Sequence, residues 1–296
     1  MEQNALINLL KNSMTFVSSS VSAVVGALVT TLFLRKNTET NEFEKIKAGK
    51  FEEVANELLD SGKMTYLEYY KCKNFLKIAK LADKKLQEES SFEENTSEKA
   101  YDFDWFVRFY DYSSNVSDEQ MQKLWSSILA GEVKNPGTTS ISLMHALSMM
   151  RQDQAMFFCN ISRFVLKDIK TYEPHLLLFV SSNREAYKSS GITPAALKEL
   201  EHLGLVECDF ATEYIFIKKK MFRTGNKIIT VYGDPNNDNK IKAGNVNFTK
   251  DGKLLYAIID DSFKRYRNDI LNFTIKKFTY RNCQVKVNDT ELLSKI

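Results

Sequence analysis

The residues with the clearest chemical potential in this sequence are cations that alternate with aromatic rings. A first cluster contains Phe216, Lys218, Lys219, Lys220, Phe222 and Arg223, and later clusters read KRYR at 264–267 and KKFTYR at 276–281. Single-stranded nucleic acid requires this combination, because cations follow the phosphate backbone while ring faces stack on bases, at about 1–3 kcal/mol per base. We therefore predict a surface that binds a single-stranded oligonucleotide or another anionic ligand, made by Lys218, Lys219, Lys220, Arg223, Arg265, Arg267 and Arg281.

The same basic bias extends over the C-terminal part of the chain, where two alternatives to a nucleic-acid ligand stay open. Residues 211–296 contain 17 Lys or Arg against 9 Asp or Glu, although the net charge of the whole chain is only +3. A solvated basic face next to an anionic bilayer, or a contact with another protein, predicts the same excess. Neighbouring side chains of a strand point to opposite faces, so some of these rings must belong to the core.

Carboxylates are frequent between residues 102 and 132, but their arrangement does not predict catalysis. No histidine is spaced to pair with a nucleophile, and no glycine-rich phosphate loop precedes a helix. Acidic side chains near helix starts are explained by capping and by the helix dipole. The three histidines and four scattered cysteines lack metal-ligand spacing, so we predict reduced thiols, no metal centre, no cofactor and no enzymatic activity.

One uncharged stretch near the N-terminus sets the organisation of the chain. Residues 15–34 read TFVSSSVSAVVGALVTTLFL, and no charged residue occurs from 12 to 34. A helix of about 20 residues crosses a hydrocarbon core, so the stretch predicts a transmembrane helix at 15–34 behind a short extracytoplasmic tail at 1–14. Arg35, Lys36 and further lysines follow the span, which places the C-terminal part in the cytoplasm by the positive-inside rule.

Small and hydroxyl-bearing residues share one face of that predicted helix. Ser18, Ser22, Gly26 and Thr30 recur at four-residue steps, and valine and leucine occupy the opposite face. Small residues let helices approach closely in lipid, and Ser or Thr can bond across the contact. The face therefore predicts helix packing in a homo-oligomer, or the lining of a polar path through a ring of copies. The alternative is a simple tether whose hydroxyls bond back to their own helix.

Helical elements separated by polar stretches follow at 35–97, which we interpret as a helical stalk and linker. FEEVANELL at 51–59 has helical spacing, and Thr65 with Glu68 forms a capping box for a helix that runs to about Leu86. The acidic sequence EESSFEENTS that follows is typical of a linker.

Residues 98–160 predict a helical bundle. One helix covers 101–112, and a second is capped by Ser117 with Gln120. After an Asn-Pro-Gly break, Ser140 opens a third helix that continues through ISLMHALSMMRQDQAMFF. Apolar spacing predicts the buried seam of the bundle at Trp105, Phe106, Phe109, Leu124, Trp125, Ile128, Leu129, Leu143, Leu147, Met150 and Phe157.

The bundle carries a signature that resembles an uncharacterised bacterial family known mainly by this pattern. It reads D-W-x3-F, S-D-E-x-M-Q-x-L-W-x2-I-L-A-G-E, P-G and S-x6-L-S-x-M, and covers roughly 101–158. Some members look like membrane effectors of anti-phage systems. The layout of a span and a cytosolic part is similar to the Hailong-type effector, a membrane channel held shut by single-stranded DNA oligomers that a partner nucleotidyltransferase makes. The resemblance implies a bacterial inner-membrane protein and carries over no catalytic or ligand residues.

Residues 161–260 predict a winged-helix-like domain, followed by a basic C-terminal tail at 261–296. We expect a helix at 164–172 and a buried strand at 176–180. A further helix starts at Thr193 and ends at Gly204, strands follow at 214–217, 227–231 and 246–249, and Thr249 caps a last helix. The helix from Thr193 carries Lys198, Glu199, Glu201 and His202. That mixed and partly acidic surface favours a structural or ligand-binding module over a reader of duplex DNA.

These features predict a mostly α fold with a small α+β part. The function we expect is an oligomeric ion-conducting pore of the bacterial inner membrane, controlled by a nucleic-acid or oligonucleotide ligand and acting in anti-phage defence by membrane depolarisation. Its expected partners are copies of itself, the ligand, the bilayer and a nucleotidyltransferase. A membrane-tethered winged-helix DNA-binding regulator is the alternative.

Overall fold

The computed structural model describes the chain at 59–62, 64–88, 102–179, 187, 191–209, 211, 213–224, 227–259 and 268–289. The chain divides into two compact units, of which the first ends at Met144 and the second begins at His145. Helices predominate over a smaller β part, which confirms the predicted fold class at that level. The predicted span at 15–34 lies outside the described residues, and no helix within them is long and apolar enough to cross a membrane.

Aromatic rings fill the centre of the first unit. Its described helices are α1 (Tyr66–Glu88), α2 (Phe103–Ser113), α3 (Glu119–Lys134) and the start of α4 (Ile141–Met149). Phe109 stacks on Trp105 with 5.1 Å between ring centroids, and it meets Trp125 edge-on at 5.4 Å. Phe75 of α1 meets Phe106 edge-on at 5.9 Å. Because all five rings are buried, each stabilises the fold by roughly 1.5–3 kcal/mol.

The predicted seam residues are buried with two exceptions. Leu124 and Phe157 are only half-buried, and Phe158 instead of its neighbour is fully buried. The error at Phe157 is one of a single residue. Because a helix has 3.6 residues per turn, two adjacent positions can both lie near the buried side, and apolar spacing alone does not separate them.

Local capping starts two of the helices as the sequence predicts. The Thr65 N–H donates to Glu68 Oε2 at 2.8 Å, and the Glu68 N–H donates to Thr65 Oγ1 at 3.3 Å, which completes the predicted capping box of α1. Ser140 Oγ accepts from the Leu143 N–H at 3.1 Å, so Ser140 opens α4.

Two predicted helix boundaries are wrong. Asp118, not Ser117, caps α3, because its carboxylate accepts from the Met121 N–H at 2.9 Å and also complements the positive end of the helix. The predicted helix from Ser140 to Phe158 is two helices, since α4 ends at Met149 and α5 (Gln152–Ser162) begins anew. Between them Arg151 is extended, and its N–H donates to Gln154 Oε1 at 3.0 Å instead of continuing the helix.

A buried carboxylate closes the loop that follows α3. Glu132 is 3% exposed. Its Oε1 accepts from the Gly137 N–H at 2.5 Å, and its Oε2 accepts from the Thr139 N–H at 2.9 Å. The charged side chain therefore satisfies two backbone donors that the Asn-Pro-Gly break leaves without helical partners.

Replacing Glu132 by glutamine is expected to lower the free energy of unfolding by about 2–3 kcal/mol. The amide NH2 of glutamine would face one of the two backbone N–H groups, and the remaining hydrogen bond would no longer be accepted by a charged oxygen. Urea denaturation of the full chain measures the effect. Glu119→Gln is the matched control, since Glu119 is exposed in the first turn of α3 and should change stability by less than about 1 kcal/mol. Equal losses in the two variants would contradict a loop held by Glu132.

The second unit contains a five-stranded antiparallel sheet with two smaller strand pairs. The strands are β1 (Val165–Asp168), β2 (Pro174–Leu176), β3 (Val206–Cys208), β4 (Ile215–Ile217), β5 (Lys219–Thr224), β6 (Lys227–Tyr232), β7 (Lys240–Lys242), β8 (Val246–Phe248) and β9 (Gln284–Asp289). The large sheet has the order β2-β1-β5-β6-β9, while β3 pairs with β8 and β4 pairs with β7. Leu166, Phe222, Ile229 and Val231 are buried on one face of the large sheet, and Val165, Ile228 and Thr230 are buried on the other.

The helix predicted at 164–172 is wrong, because this segment forms β1 and the turn after it. Asp168 Oδ1 accepts from the Lys170 N–H at 2.7 Å and from the Thr171 N–H at 2.9 Å. Tyr172 then adopts a φ of +57°, which reverses the chain into β2. The physical reason is that a side chain bonding its own downstream backbone competes with helix formation.

The predicted helices after Thr193 and Thr249 are confirmed as α6 (Pro194–His202) and α7 (Lys250–Ile258). Each threonine Oγ1 accepts a hydrogen bond from the backbone N–H three residues on. The strand β3 follows α6 and pairs antiparallel with β8, and Leu178 adds a bridge to Val246 on β8. Strands β4 to β7 therefore lie in sequence between β3 and β8, the two strands of this pair.

The segment interpreted as a basic tail contributes to the second unit. It forms α8 (Asn268–Tyr280) and β9, and β9 pairs with β6 along its whole length. Phe278 of α8 is fully buried and meets Phe179 edge-on at 5.8 Å. Residues 268–289 therefore belong to the fold of the second unit, because long-range strand pairing and ring packing hold them there.

Candidate ligand-binding face

Strand β5 separates the predicted ligand residues by alternation. Lys219 and Arg223 point to one face of the large sheet and are exposed, whereas Lys220 points to the other face with the fully buried Phe222. A run of cations in the sequence therefore becomes two groups in the structure, with different surroundings.

Neighbouring strands add cations to the face that carries Lys219. In the strand register, Lys167 of β1 lies opposite Arg223, Tyr232 of β6 lies opposite Lys219, and Lys286 of β9 lies opposite Thr230 of β6. Residues that lie directly opposite each other in antiparallel strands share a face. We call the surface made by Lys167, Lys219, Arg223, Tyr232 and Lys286 the basic sheet face; its four cations are exposed.

The ring of Tyr232 lies between two of these cations. The Nζ of Lys219 is 5.5 Å from the ring centroid, and the Nζ of Lys286 is 5.8 Å from it. The two lysines come from the strands on either side of β6, so they approach the ring from opposite flanks. A half-buried ring with flanking ammonium groups offers a π-surface to a base and positive charge to the phosphates beside it.

Lys220 pairs with a buried carboxylate and does not belong to the basic sheet face. Its Nζ lies 2.6 Å from Asp168 Oδ2 and 4.7 Å from the centroid of the Phe216 ring. Asp168 is almost fully buried. Burial by itself would raise the pKa of the Asp168 carboxyl, but hydrogen bonds from Lys220 and from the backbone N–H groups of Thr171 and Lys170 outweigh it and hold the pKa well below its usual range.

The depressed pKa of Asp168 makes an acid-dependent contribution to stability. Because the folded-state pKa lies below the unfolded value of about 3.9, the ionised carboxylate stabilises the fold above about pH 4, and this stabilisation is lost as the pH falls further. We expect Asp168→Asn to be destabilised at pH 7 and to approach the wild type only as the pH falls from about 4 to about 2. Urea denaturation across that range measures this convergence; a difference independent of pH would contradict it.

Arg281 is also structural. Its guanidinium lies 2.5 Å from Glu213 Oε1 and 4.8 Å from the centroid of the Phe179 ring. Both charged side chains are more than four-fifths buried, so this pair is not available to an exposed ligand. The prediction that Lys220 and Arg281 bind ligand is therefore not supported by their surroundings, because each is already paired with a buried or nearly buried carboxylate.

The remaining predicted ligand residues fall in two places. Lys218 occupies the turn between β4 and β5 with a φ of +67°, and its N–H donates to the Asn239 carbonyl at 2.8 Å. Its side chain is exposed at the margin of the sheet. Arg265 and Arg267 lie outside the described residues, as do the predicted pore residues Ser18, Ser22, Gly26 and Thr30.

The exposed side of α6 is more acidic than basic in its contacts. Glu199 Oε2 lies 2.8 Å from the Arg151 guanidinium and accepts from the Gln154 side chain at 2.9 Å. Lys198 pairs with Glu201 at 2.5 Å. These contacts connect α6 to the start of α5 and pair the cations with carboxylates, so this side of α6 offers no excess of positive charge to a phosphate backbone.

Sequence reasoning missed Lys167, Tyr232 and Lys286. The alternating sequence QVKVND at 284–289 could have indicated a strand with Lys286 on its polar side. No local signal could have indicated that this strand lies beside Tyr232, since more than 50 residues separate them. Within the described parts of the chain, no group of three or more His, Cys, Asp or Glu side chains is arranged to hold a metal ion.

Comparison with known families gives one match. Residues 61–271 match the model of a family described as a protein of unknown function, DUF2806, and because the match covers more than half of the chain, the chain belongs to that family. Neither the curated proteins nor the solved structures gave a match.

Proposed function

We propose that this member of the DUF2806 family binds single-stranded nucleic acid on the basic sheet face and that binding controls an oligomeric pore formed by its N-terminal helices. The observation that carries the proposal is the position of Tyr232 on β6 between two exposed cations, Lys219 on β5 and Lys286 on β9. Lys219 and Arg223 lie four residues apart on β5, which separates them by about 14 Å, or roughly two phosphate steps along an extended single strand.

Exposed cations beside a ring on a sheet suit single strands better than duplexes. Duplex readers insert a helix or a ribbon into a groove, whereas an exposed ring on a sheet stacks on unpaired bases. The cations of the basic sheet face neutralise phosphates without reading base edges, so the proposed binding depends on salt and only weakly on sequence.

The test is a binding titration of the full chain, purified in detergent, with a fluorescent oligonucleotide of about 20 nucleotides and with the matching duplex. We expect the single strand to bind at least about tenfold more tightly. We also expect log Kd to change with log salt by about 0.7 for each phosphate neutralised. Preference for the duplex, or no dependence on salt, would refute the proposal.

The alternative, a membrane-tethered winged-helix regulator, is favoured by one observation. The succession of α6, β3 and β8, with the bridge from Leu178, supports this alternative, because a winged helix also follows a helix with a small antiparallel sheet. The carboxylates on α6 make that helix a poor partner for the major groove. Sequence-selective duplex binding at nanomolar concentration would favour this function instead.

The proposed pore extends the sequence argument on residues 15–34. Control by a ligand requires that the ligand bind the open and closed assemblies with different affinity, because equal affinity shifts no equilibrium. Ser18, Ser22, Gly26 and Thr30 are the proposed lining or packing face, and the resemblance to anti-phage effectors suggests membrane depolarisation as the outcome.

Gly26→Leu is expected to abolish ion flux through the full chain in liposomes, because a leucine side chain prevents the close helix approach that a glycine permits. Oligonucleotide affinity should remain unchanged, since the substitution lies far in sequence from the basic sheet face. Val24→Leu, on the predicted lipid face, is the matched control and should retain flux. Flux that survives Gly26→Leu would exclude a pore built on this face.

A further inference from the structure

The exposed side of α1 is a straight stripe that begins with aromatic rings and continues with lysines. At 100° per residue, its members fall within an arc of about 80° on the side opposite the core. We define the α1 stripe by these residues: Tyr66, Tyr70, Lys73, Lys77, Lys80 and Lys84. All six are exposed, and the stripe is about 27 Å long.

Packing explains the other side of this helix and the hydroxyl of Tyr70, which is hydrogen-bonded to Ser117 and Asn74. Phe75, Ile78 and Ala82 are fully buried on the side that faces the rest of the first unit. Tyr66 is 73% exposed, and Leu67 beside it is 62% exposed. Large apolar groups exposed together at one end of a helix indicate a contact that the fold does not supply.

The lysines of the stripe carry charge that the fold leaves largely unpaired. Lys73, Lys77 and Lys80 form no ion pair with a carboxylate among the described residues, and Lys84 pairs with Glu88 at 3.6 Å with both side chains exposed. Lysines on one helix face repel one another, which costs stability unless an anionic surface lies nearby.

We propose that the α1 stripe lies against the anionic headgroups of a bilayer. Tyrosine prefers the membrane interface, because its ring is apolar and its hydroxyl is polar, while lysine adds about 1 kcal/mol per charge near an anionic surface. The aromatic end of the stripe is also the end nearest in sequence to the predicted span. Only residues 35–65 separate them, so the chain can reach the surface of the membrane that holds its span.

This inference rests on the predicted span of the proposed function, but it does not depend on the basic sheet face. The nearer alternative is a second nucleic-acid contact, since phosphates of either source attract lysine. Leu67 and Tyr66, both exposed at the N-terminal end, favour lipid, because a phosphate backbone offers no apolar layer for them.

The test measures lysine reactivity in the full chain reconstituted into lipid nanodiscs, first without oligonucleotide and then with a single-stranded oligonucleotide added. One nanodisc contains phosphatidylcholine alone, and the other contains added phosphatidylglycerol. Limited acetylation followed by mass spectrometry gives the rate at each lysine. We expect Lys73, Lys77 and Lys80 to react at least about fivefold more slowly with phosphatidylglycerol present, and the protection to disappear at high salt. Lys123, exposed on α3, is the internal control and should not change.

Lys77→Glu with Lys80→Glu should abolish the protection of Lys73, and circular dichroism should show that the exposed substitutions leave helix content unchanged. Equal reactivity in both nanodiscs would overturn the proposal. Protection that requires added oligonucleotide, and is independent of the lipid, would also overturn it and would assign the stripe to nucleic acid. Neither result depends on whether the basic sheet face binds a ligand.

Discussion

Replacing Lys219 and Lys286 together by glutamate is expected to weaken single-strand binding by at least about 100-fold, which corresponds to roughly 2.7 kcal/mol. The substitutions remove both cations that flank Tyr232 and introduce two charges that repel phosphate. Fluorescence anisotropy with the full chain at two salt concentrations measures the loss. Because two phosphate contacts disappear, the slope of log Kd against log salt should fall by about 1.4.

The neighbour of Lys219 provides a matched control. Lys220→Met should leave affinity within about twofold of the wild type, because Lys220 lies on the opposite face of the sheet. The same variant should lose about 1–3 kcal/mol of stability, since it leaves the buried Asp168 carboxylate without its ammonium partner. If the affinity falls equally in the two variants, the cations act through general charge and the basic sheet face is not the binding site.

Gly252→Ala is expected to destabilise the second unit by at least about 3 kcal/mol, although alanine is the better helix former by about 1 kcal/mol. A Cβ at Gly252, in the first turn of α7, would lie 1.9 Å from the Leu205 carbonyl oxygen and 3.2 Å from Phe248 Cδ1. The Leu205 oxygen also accepts from the Thr249 N–H at 3.1 Å, so the backbone cannot move away without losing that bond. Chemical denaturation of the full chain measures the loss.

Gly131→Ala is the control for this prediction. Gly131 lies inside α3, and a Cβ there would meet nothing within 4 Å. Alanine should therefore stabilise the first unit by about 0.5–1 kcal/mol through helix propensity alone. If both alanine variants were stabilised, α7 would not be held against Leu205 as the structure describes.

Local hydrogen bonds account for what could be predicted from the sequence. The caps at Thr65, Ser140, Thr193 and Thr249 were predictable because each involves a side chain and a backbone group three residues away. The errors arose where a similar local bond favoured another outcome. Asp118, and not Ser117, accepts the hydrogen bond that caps α3. The Asp168 carboxylate accepts hydrogen bonds from the backbone that follows it, and this favours a turn after β1 over the helix that was expected.

Within the candidate site, composition singled out strand β5 but could not separate its exposed cations from those paired with buried carboxylates. Lys219 and Arg223 were predicted and are exposed on the basic sheet face. Lys220 and Arg281 were predicted as well, and their partners Asp168 and Glu213 lie more than 50 residues away in the sequence. No spacing rule reveals such a partner.

The sequence by itself determined that the chain has an uncharged stretch long enough to span a bilayer, an excess of cations after residue 211 and helices that start at local caps. Only the tertiary structure decided which cations are exposed together. The grouping of the exposed cations depends on the strand order β1-β5-β6-β9 and on its register. Together they place Lys167, Lys219, Tyr232 and Lys286 on one face. The physical reason is that strand pairing joins residues far apart in the chain, and a shift of one residue in register would turn each side chain to the opposite face.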